Sequence, residues 1–499
     1  MRVPGGQAAG SALLPGNATI SDAVLNASGA GDEHAVGSMR SLLAARPNGS
    51  DDTFVNSVTD MAEQAQRIIL QTAEESTVVQ QLETNSGGTL AYLVLQLIVM
   101  LGNAILFASL GIGCIIFAFL HPPCPVDELE DPDSKSASIC CLIPALLEHE
   151  GEIIIETVET ALSVKTLQKV VLCYNTKSGD VSEILTALDK LRASDPRLEI
   201  SHNPAATSKA ANLNHALHLT EPYEFTCILD ADHHLNSECL HRLLKELRSS
   251  PKSTVCMQGA VLVRGDGVWE AALTTLNWYF FAILFPALQM ISGTAMFAGA
   301  GAVWRSDVLR AFAFTDGMVC EDDDLSMRVI CSGLNIGVCP QAELTELAPE
   351  SIHSFFRQRL RWSYGYEQSL NKHLGVLLCK RPRAALQRLY VYSWHVMACV
   401  WVASLITYIS VHPTTSLWSG FIQPLAVMTG PSLTIIACVF VMLHNNKWKR
   451  WKTTLIMIPT AFIYGNVQAA LTVWARLRMI CGMEWHVTRR KISRADSGC

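Results

Sequence analysis

The stretch "EFTCILDAD", Glu224 to Asp232, decides the architecture, because an apolar, β-prone run ends abruptly in two carboxylates, Asp230 and Asp232, one residue apart. A short apolar run bounded by polar residues reads as a strand buried on both faces. Upstream, "SASICCLIPA", "LQKVVLCYN" and "RLEISHN" read as further strands, with "EGEIIIETVETALS", "DVSEILTALDKLRA" and "KAANLNHALHL" as the helices between them. The alternation predicts an α/β fold, an open and mostly parallel sheet with helices on both faces. Ligands of such sheets gather at the carboxyl ends of the strands, where Asp230 and Asp232 lie.

Acidic pairs before a helix often serve only as turn or capping groups. Here Asn236 or Ser237 can cap "ECLHRLLKEL" without them. Two carboxylates with no lysine or arginine within several residues suit a hard divalent cation, Mg²⁺ or Mn²⁺. His233 and His234 are candidate ligands too, although an imidazole beside a strand is more often structural.

A second acidic cluster, Glu321, Asp322, Asp323 and Asp324 in "MVCEDDDLSMRVICSG", opens a helix that Gly333 terminates. First-turn carboxylates compensate the helix dipole, which accounts for one or two of them. Four adjacent ones repel, so at least one should hold its proton more tightly, as a general base working near neutrality requires. In "FFRQRLRWSYGYEQ", Gln358, Arg361 and Trp362 share one helical face while Arg359 points aside. An indole beside a guanidinium offers a sugar-stacking plane and a cation for phosphate oxygens, and also suits a helix at a membrane interface.

The rest of the chain sets this segment in context. Its 499 residues are 49% hydrophobic and 17% charged, with mean hydropathy +0.24, a balance that suggests a membrane protein with a soluble part. A net charge of −7 gives no nucleic-acid footprint. Among the sixteen cysteines none precedes Cys114 and none forms a zinc-ligand pattern, so they are read as reduced buried thiols. Residues 1–87 form a weakly ordered arm with 4 basic and 10 acidic residues, an amphipathic helix over Phe54–Glu83 being the alternative. The arm carries the sequons of Asn17, Asn26 and Asn48, glycosylation candidates if it lies outside the cytosol, and shows no cleavable signal peptide. Residues 88–120 contain the uncharged run Leu90–Leu120, long enough to span a bilayer. Residues 127–383 form the soluble domain, and 389–475 hold apolar runs at about Leu389–Val411, Leu417–Leu443 and Thr453–Trp474. A basic tail, 476–499, follows.

Taken in order, "SKAANLN" (Ser208–Asn214), "LDADHH" (Leu229–His234), "CEDDDLS" (Cys320–Ser326), "ELAPES" (Glu346–Ser351) and "QRLRW" (Gln358–Trp362) resemble the membrane-embedded family 2 glycosyltransferases. Cellulose, hyaluronan, chitin and poly-N-acetylglucosamine synthases and ceramide glucosyltransferase belong to that group. The resemblance implies an inverting enzyme of the GT-A type, Rossmann-like, inserted between transmembrane helices. Asp232, and less directly Asp230, would hold Mg²⁺ or Mn²⁺ against the diphosphate of a nucleotide sugar, and Asp322 would deprotonate the acceptor hydroxyl. Glu148, Asn175, Lys209, Asn214 and Glu321 fall on the donor side, and Gln358, Arg361 and Trp362 line the acceptor and diphosphate, with Arg359 supporting the fold. The chain departs from the family pattern at Tyr174 and Asn175, where many members carry an acidic pair, and at Cys320, which replaces a threonine.

"WHVTRR", Trp485 to Arg490, resembles a gating element that would bring Thr488 and Arg490 to the diphosphate, or is a basic juxtamembrane tail. The basic breaks Lys380–Arg383 and Lys447–Arg450 favour a cytosolic catalytic face on a multi-pass protein of the plasma membrane or Golgi and ER. Three full crossings after the domain would carry the tail away from the nucleotide, so the last run, broken by Pro459 and Gly465, is expected to cross incompletely. The leading expectation is a processive β-glycan synthase using a UDP-sugar in preference to a GDP-sugar, on a glycan or lipid acceptor. The alternatives are single-sugar transfer to a lipid such as ceramide or polyprenyl phosphate, and a silent membrane scaffold.

Overall fold

In the computed structural model the described residues are 138–385 except 178, 266 and 383, the segment 470–482, and scattered positions between 94 and 121. All lie in Leu90–Cys499, the second of the two units into which the chain divides. The expected arm with its three sequons, the gating segment and most of the expected spans fall outside the described residues.

The chain runs β1 (Ile139–Leu146), α1 (Leu147–Ser163), β2 (Lys169–Asn175), α2 (Ser182–Ser194), β3 (Leu198–His202), α3 (Lys209–Ala216) and β4 (Phe225–Ile228). The second half continues with α4 (Ser237–Ser249), β5 (Thr254–Val263), α5 (Val268–Trp278), a π-helical turn at Tyr279–Leu284, α6 (Phe285–Ser292) and β6 (Ala302–Arg305). It closes with α7 (Ser306–Phe312), α8 (Glu321–Cys331), β7 (Asn335–Glu346) and α9 (Ile352–Lys380). Residues 470–480 form a further helix, α10.

The strands make one seven-stranded sheet in the order β3-β2-β1-β4-β6-β5-β7. All neighbours are parallel except β6, which runs antiparallel to both β4 and β5. Strand β1 shows why the run was uniformly apolar: Ile139, Cys141 and Ile143 enter one core and Cys140 and Leu142 the other. Helices α1, α4, α5 and α6 cover the first face, and α3, α7 and α8 the second. The five cysteines Cys140, Cys141, Cys173, Cys227 and Cys256 are free and buried in these cores, as expected of structural thiols.

Among the described residues one continuous helical stretch, Val268–Ser292, is long and apolar enough to cross a membrane, but 78% of its most apolar window is buried within the protein. Its apolarity is therefore consumed in packing. The π-helical turn lies inside it, and the carbonyl of Ala282 accepts from the Cys114 thiol at 3.3 Å. Gly113 allows the residues around Cys114 this approach, since a Cβ there would lie 3.2 Å from the backbone of Ala287.

Candidate active site

The candidate site lies at the carboxyl ends of β1, β2 and β4. Strand β4 ends at Ile228, and the next residues turn, with His233 N–H donating to Asp230 O at 3.1 Å. Helix α4 is capped by Asn236, whose side chain accepts from Cys239 N–H at 2.7 Å, so this cap needs neither aspartate. Asp232 is 5% exposed and His233 3%. One ligating atom from each of Asp230, Asp232 and His233 can be chosen so that all lie within 4.8 Å of one another.

These residues fit a divalent cation. His233 Nε2 faces Glu346 at 3.6 Å, and its Nδ1 is buried with no hydrogen-bond partner among the described residues. Burial alone would lower the proton affinity of this imidazole, but Glu346, Asp230 and Asp232 outweigh it and raise it. Cation and proton thus compete for one field of carboxylates, and two oxygens with one imidazole suit a hard or borderline metal.

The expectation of no nearby lysine or arginine holds only along the chain. Lys209, the first residue of α3, places its Nζ 2.5 Å from Asp230, 3.7 Å from Glu321 and 3.0 Å from the carbonyl of Gly299. Burial works against its charge, yet Asp230 and Glu321 more than compensate and keep it protonated. One ammonium therefore ties the acids after β4 to the acids opening α8.

Within that second cluster the four carboxylates separate by partner. Glu321 turns toward Lys209, while Asp322 accepts from Asp323 N–H at 2.9 Å. Desolvation first, then the charge of Glu321, pushes the Asp322 carboxyl up to about 7, although Lys209 pulls the other way. Asp324, fully buried, instead accepts from Thr315 Oγ1 at 2.6 Å and from Arg328 Nε, Lys372 Nζ and His373 Nε2 at 2.8 Å each. Burial would raise its carboxyl, and these four donors hold it far below the ordinary range. The repulsion expected from four adjacent acids is relieved by this division, and the raised proton affinity settles on Asp322.

The loop before β6 closes the floor. Gly299 adopts φ +88°, and a Cβ there would lie 2.9 Å from Asp322 Oδ2, so only glycine lets the backbone run beneath that carboxylate. Gln258 on β5 fixes the loop, accepting from Ala298 N–H at 2.9 Å and donating to the carbonyl of Ala300 at 3.0 Å. Sequence reasoning missed both Gln258 and this loop; the glycines of "AGAGA", Ala298 to Ala302, were the available signal.

Helix α9 reaches the site by close approach at Gly365, where a Cβ would collide with the Cys320 side chain. Val319 N–H donates to Gln368 Oε1 at 3.0 Å, and Arg361 Nη1 donates to the Val319 carbonyl at 3.2 Å. Gln358 and Trp362 are half-buried. The guanidinium beside the indole is not that of Arg361: Arg359, 3% exposed, lies 4.2 Å from the Trp362 ring centroid and 5.0 Å from that of Phe355. On a helix i and i+3 stack while i and i+1 diverge, so Arg359 braces Trp362 and leaves Arg361 to face the α8 side.

The remaining donor-side candidates have internal partners. Asn175 donates to the carbonyl of Ala206 at 2.9 Å and accepts from Asn212 at 2.8 Å. Asn214 forms a pair of 2.8 Å bonds with the backbone of Phe314. Glu148 accepts from Lys177 and Gly179 N–H and orders the loop after β2, where Tyr174 stacks on His202 at 4.7 Å. Thr488 and Arg490 lie outside the described residues.

The family described as "Glycosyl transferase family group 2" matches residues 225–464. The chain is 23% identical over 269 residues to the poly-beta-1,6-N-acetyl-D-glucosamine synthase of Staphylococcus epidermidis, covering 52% of this chain and 62% of that protein. It is 25% identical over 260 residues to the glycosyltransferase YaiP of Escherichia coli, covering 50% and 62%. In both cases the match spans less than two thirds of the relative's length. Among solved structures, a mannosyltransferase from Pyrobaculum calidifontis in complex with GDP-Man and Mn²⁺ superposes with TM-score 0.52 at 16% identity, over 78% of this chain and 100% of that one. The structural likeness shows a shared GT-A-like fold, and the sequence matches support a glycosyltransferase of family 2.

Proposed function

We propose that this chain, whose matches support a family 2 glycosyltransferase, is an inverting hexosyltransferase that extends a β-glycan at a membrane from a nucleotide-sugar donor. The observation that carries the reading is the position of Lys209 between Asp230 and Glu321, which gathers a metal-type acid set and a base-type acid set around one small volume.

In this reading the acceptor hydroxyl gives its proton to Asp322 as its oxygen attacks the anomeric carbon from the face opposite the diphosphate. The bond from that carbon to the phosphate oxygen breaks, its electron pair leaves with the nucleoside diphosphate, and the configuration inverts. Asp230, Asp232 and His233 would hold a Mg²⁺ or Mn²⁺ ion, which when bound supplies Lewis-acid stabilisation of the leaving diphosphate. Lys209 and Arg361 add fixed positive charge, and Trp362, braced by Arg359, offers its ring to the acceptor sugar. Glu148, Asn175 and Asn214 act on the donor by shaping the loops that enclose it. Thr488 and Arg490, outside the described residues, would add a hydroxyl and a cation for the diphosphate on the family resemblance alone.

The polymer product is favoured by the named activity of the Staphylococcus relative. The membrane setting is favoured by the uncharged run Leu90–Leu120 and the apolar runs between 389 and 475. Incubating the detergent-purified protein with UDP- and GDP-sugars and Mn²⁺, and measuring nucleoside diphosphate release and product size, tests the proposal. A polymer from a UDP-sugar is expected; a single glycolipid would establish the lipid-acceptor alternative. No turnover with any donor, or undiminished function in Asp322→Asn, would end the enzyme reading.

A further inference from the structure

Glu346 is the last residue of β7 and has no role in the reaction proposed above. Its place is fixed by pairing. His234 N–H donates to the Thr345 carbonyl at 2.7 Å and Thr345 N–H donates to the His234 carbonyl at 3.2 Å, an antiparallel bridge that ties the loop after β4 to the end of β7. The next residues out from such a bridge also stand opposite one another, which brings His233 to face Glu346. Before His233, Thr157 Oγ1 on α1 donates to the Ala231 carbonyl at 2.7 Å, so the loop is held on both sides of the imidazole.

The carboxylate of Glu346 is itself held from behind. Asn277 on α5, 5% exposed, donates its Nδ2 to Glu346 Oε1 at 2.6 Å, and Arg264 N–H donates to the Glu346 carbonyl at 2.9 Å. Oε2 is thereby committed to His233 Nε2, 3.6 Å away. That separation is an ionic contact rather than a formed hydrogen bond, and contacts of this kind tighten once a ligand is bound. Nδ1 of the same ring is buried with no hydrogen-bond partner among the described residues.

We propose that Glu346 is a positioning residue for the metal site: by accepting from Nε2–H it keeps the ring proton on Nε2 of His233, makes Nδ1 the ligand nitrogen, and builds a site that takes Mn²⁺ in preference to Mg²⁺. The inference rests on the reading above that Asp230, Asp232 and His233 hold a divalent cation. A neutral imidazole ligates through the nitrogen that carries no proton, and the partner of the other nitrogen decides which one that is. An ionised carboxylate can only accept, so it selects the tautomer with its proton toward Glu346. Mg²⁺ is small, hard and bound to oxygen, whereas Mn²⁺ accepts a nitrogen ligand at lower cost. In Glu346→Gln the Asn277 amide keeps the remaining carbonyl oxygen. The new NH₂ group then turns to Nε2 and reverses the preference, moving the proton to Nδ1.

The test uses the full-length, detergent-purified protein with Mn²⁺, alone and with UDP or GDP. Pulsed electron paramagnetic resonance reads nitrogen coupling to the bound Mn²⁺, and titrations give the dissociation constants of Mn²⁺ and Mg²⁺. Imidazole nitrogen coupling is expected in the wild type, kept in His234→Ala, and lost in His233→Ala and Glu346→Gln. Glu346→Gln is expected to bind Mn²⁺ roughly tenfold more weakly and Mg²⁺ nearly as well as the wild type, with little change in melting temperature. Bound Mn²⁺ without nitrogen coupling in the wild type overturns the proposal, whatever the stability of the variants, and leaves the divalent-cation reading standing. Coupling that persists in Glu346→Gln, or an equal loss of both ions there, overturns it as well. A wild-type protein that binds no Mn²⁺ with either nucleotide would refute the divalent-cation reading, and this proposal with it.

Discussion

Replacing Asp324 by Ala tests the physical account of the site most sharply, because this residue does no chemistry and yet holds α8 to α9. Its carboxylate is fully buried and collects Thr315, Arg328, Lys372 and His373 at 2.6 to 2.8 Å. Removing one partner of a buried ionic cluster costs about 3–5 kcal/mol, since the remaining charges stay desolvated. Two of the donors recover water: the Lys372 side chain is 42% exposed and that of Arg328 22%, which moves the expectation to the lower end, about 3 kcal/mol. For a domain of this size that corresponds to a melting-temperature loss of roughly 6–12 °C. Asp324→Asn should lose less, as it keeps an acceptor oxygen.

The pH dependence has a definite sign. The folded-state carboxyl is depressed, so its stabilisation is complete above the ordinary carboxylate value near 4 and is lost as pH falls toward the folded value. Thermal unfolding of the detergent-solubilised protein between about pH 5 and pH 3 should therefore steepen in the wild type and flatten in Asp324→Asn. A melting temperature for Asp324→Ala within about 2 °C of wild type would refute the buried-cluster account.

Three further outcomes follow from the same geometry. Turnover should rise with pH through about 7 as Asp322 loses its proton, and Asp322→Asn should lose roughly 10²–10⁴-fold in kcat while still binding donor, as measured by calorimetry. Lys209→Met removes the charge that lowers the Asp322 carboxyl, so its pH–rate midpoint should move above that of wild type; the same variant should bind Mn²⁺ more tightly without nucleotide and nucleotide more weakly. Arg359→Lys should lower the melting temperature more than Arg361→Lys, because a compact ammonium cannot reproduce the stacked guanidinium against Trp362 and Phe355, while Arg361→Lys should weaken donor turnover more than stability.

Much of the frame was legible before any coordinates. β-Prone apolar runs, helical spacing and punctuation located β1 to β4 and α1 to α4, and placed Asp230 and Asp232 past a strand end, because those signals act over a few residues of chain. The antiparallel insertion of β6 was not legible: its four residues carry no mark of direction, and it is fixed by pairing with β4 and β5. Asn175 and Asn214 illustrate the other limit. The family resemblance implied donor contacts for both, but an amide also satisfies buried backbone groups, and tertiary neighbours engage both in that way.

The order of residues alone located two acidic clusters, one at a strand end and one at a helix start, and a helix carrying Gln358, Arg361 and Trp362 on one face. It determined this because composition and periodicity set local structure. Only the tertiary structure decided which acid keeps its proton, which arginine stacks on Trp362, and that Lys209 joins the clusters. Those outcomes depend on desolvation and on charges brought together from positions more than a hundred residues apart, and no spacing along the chain encodes them.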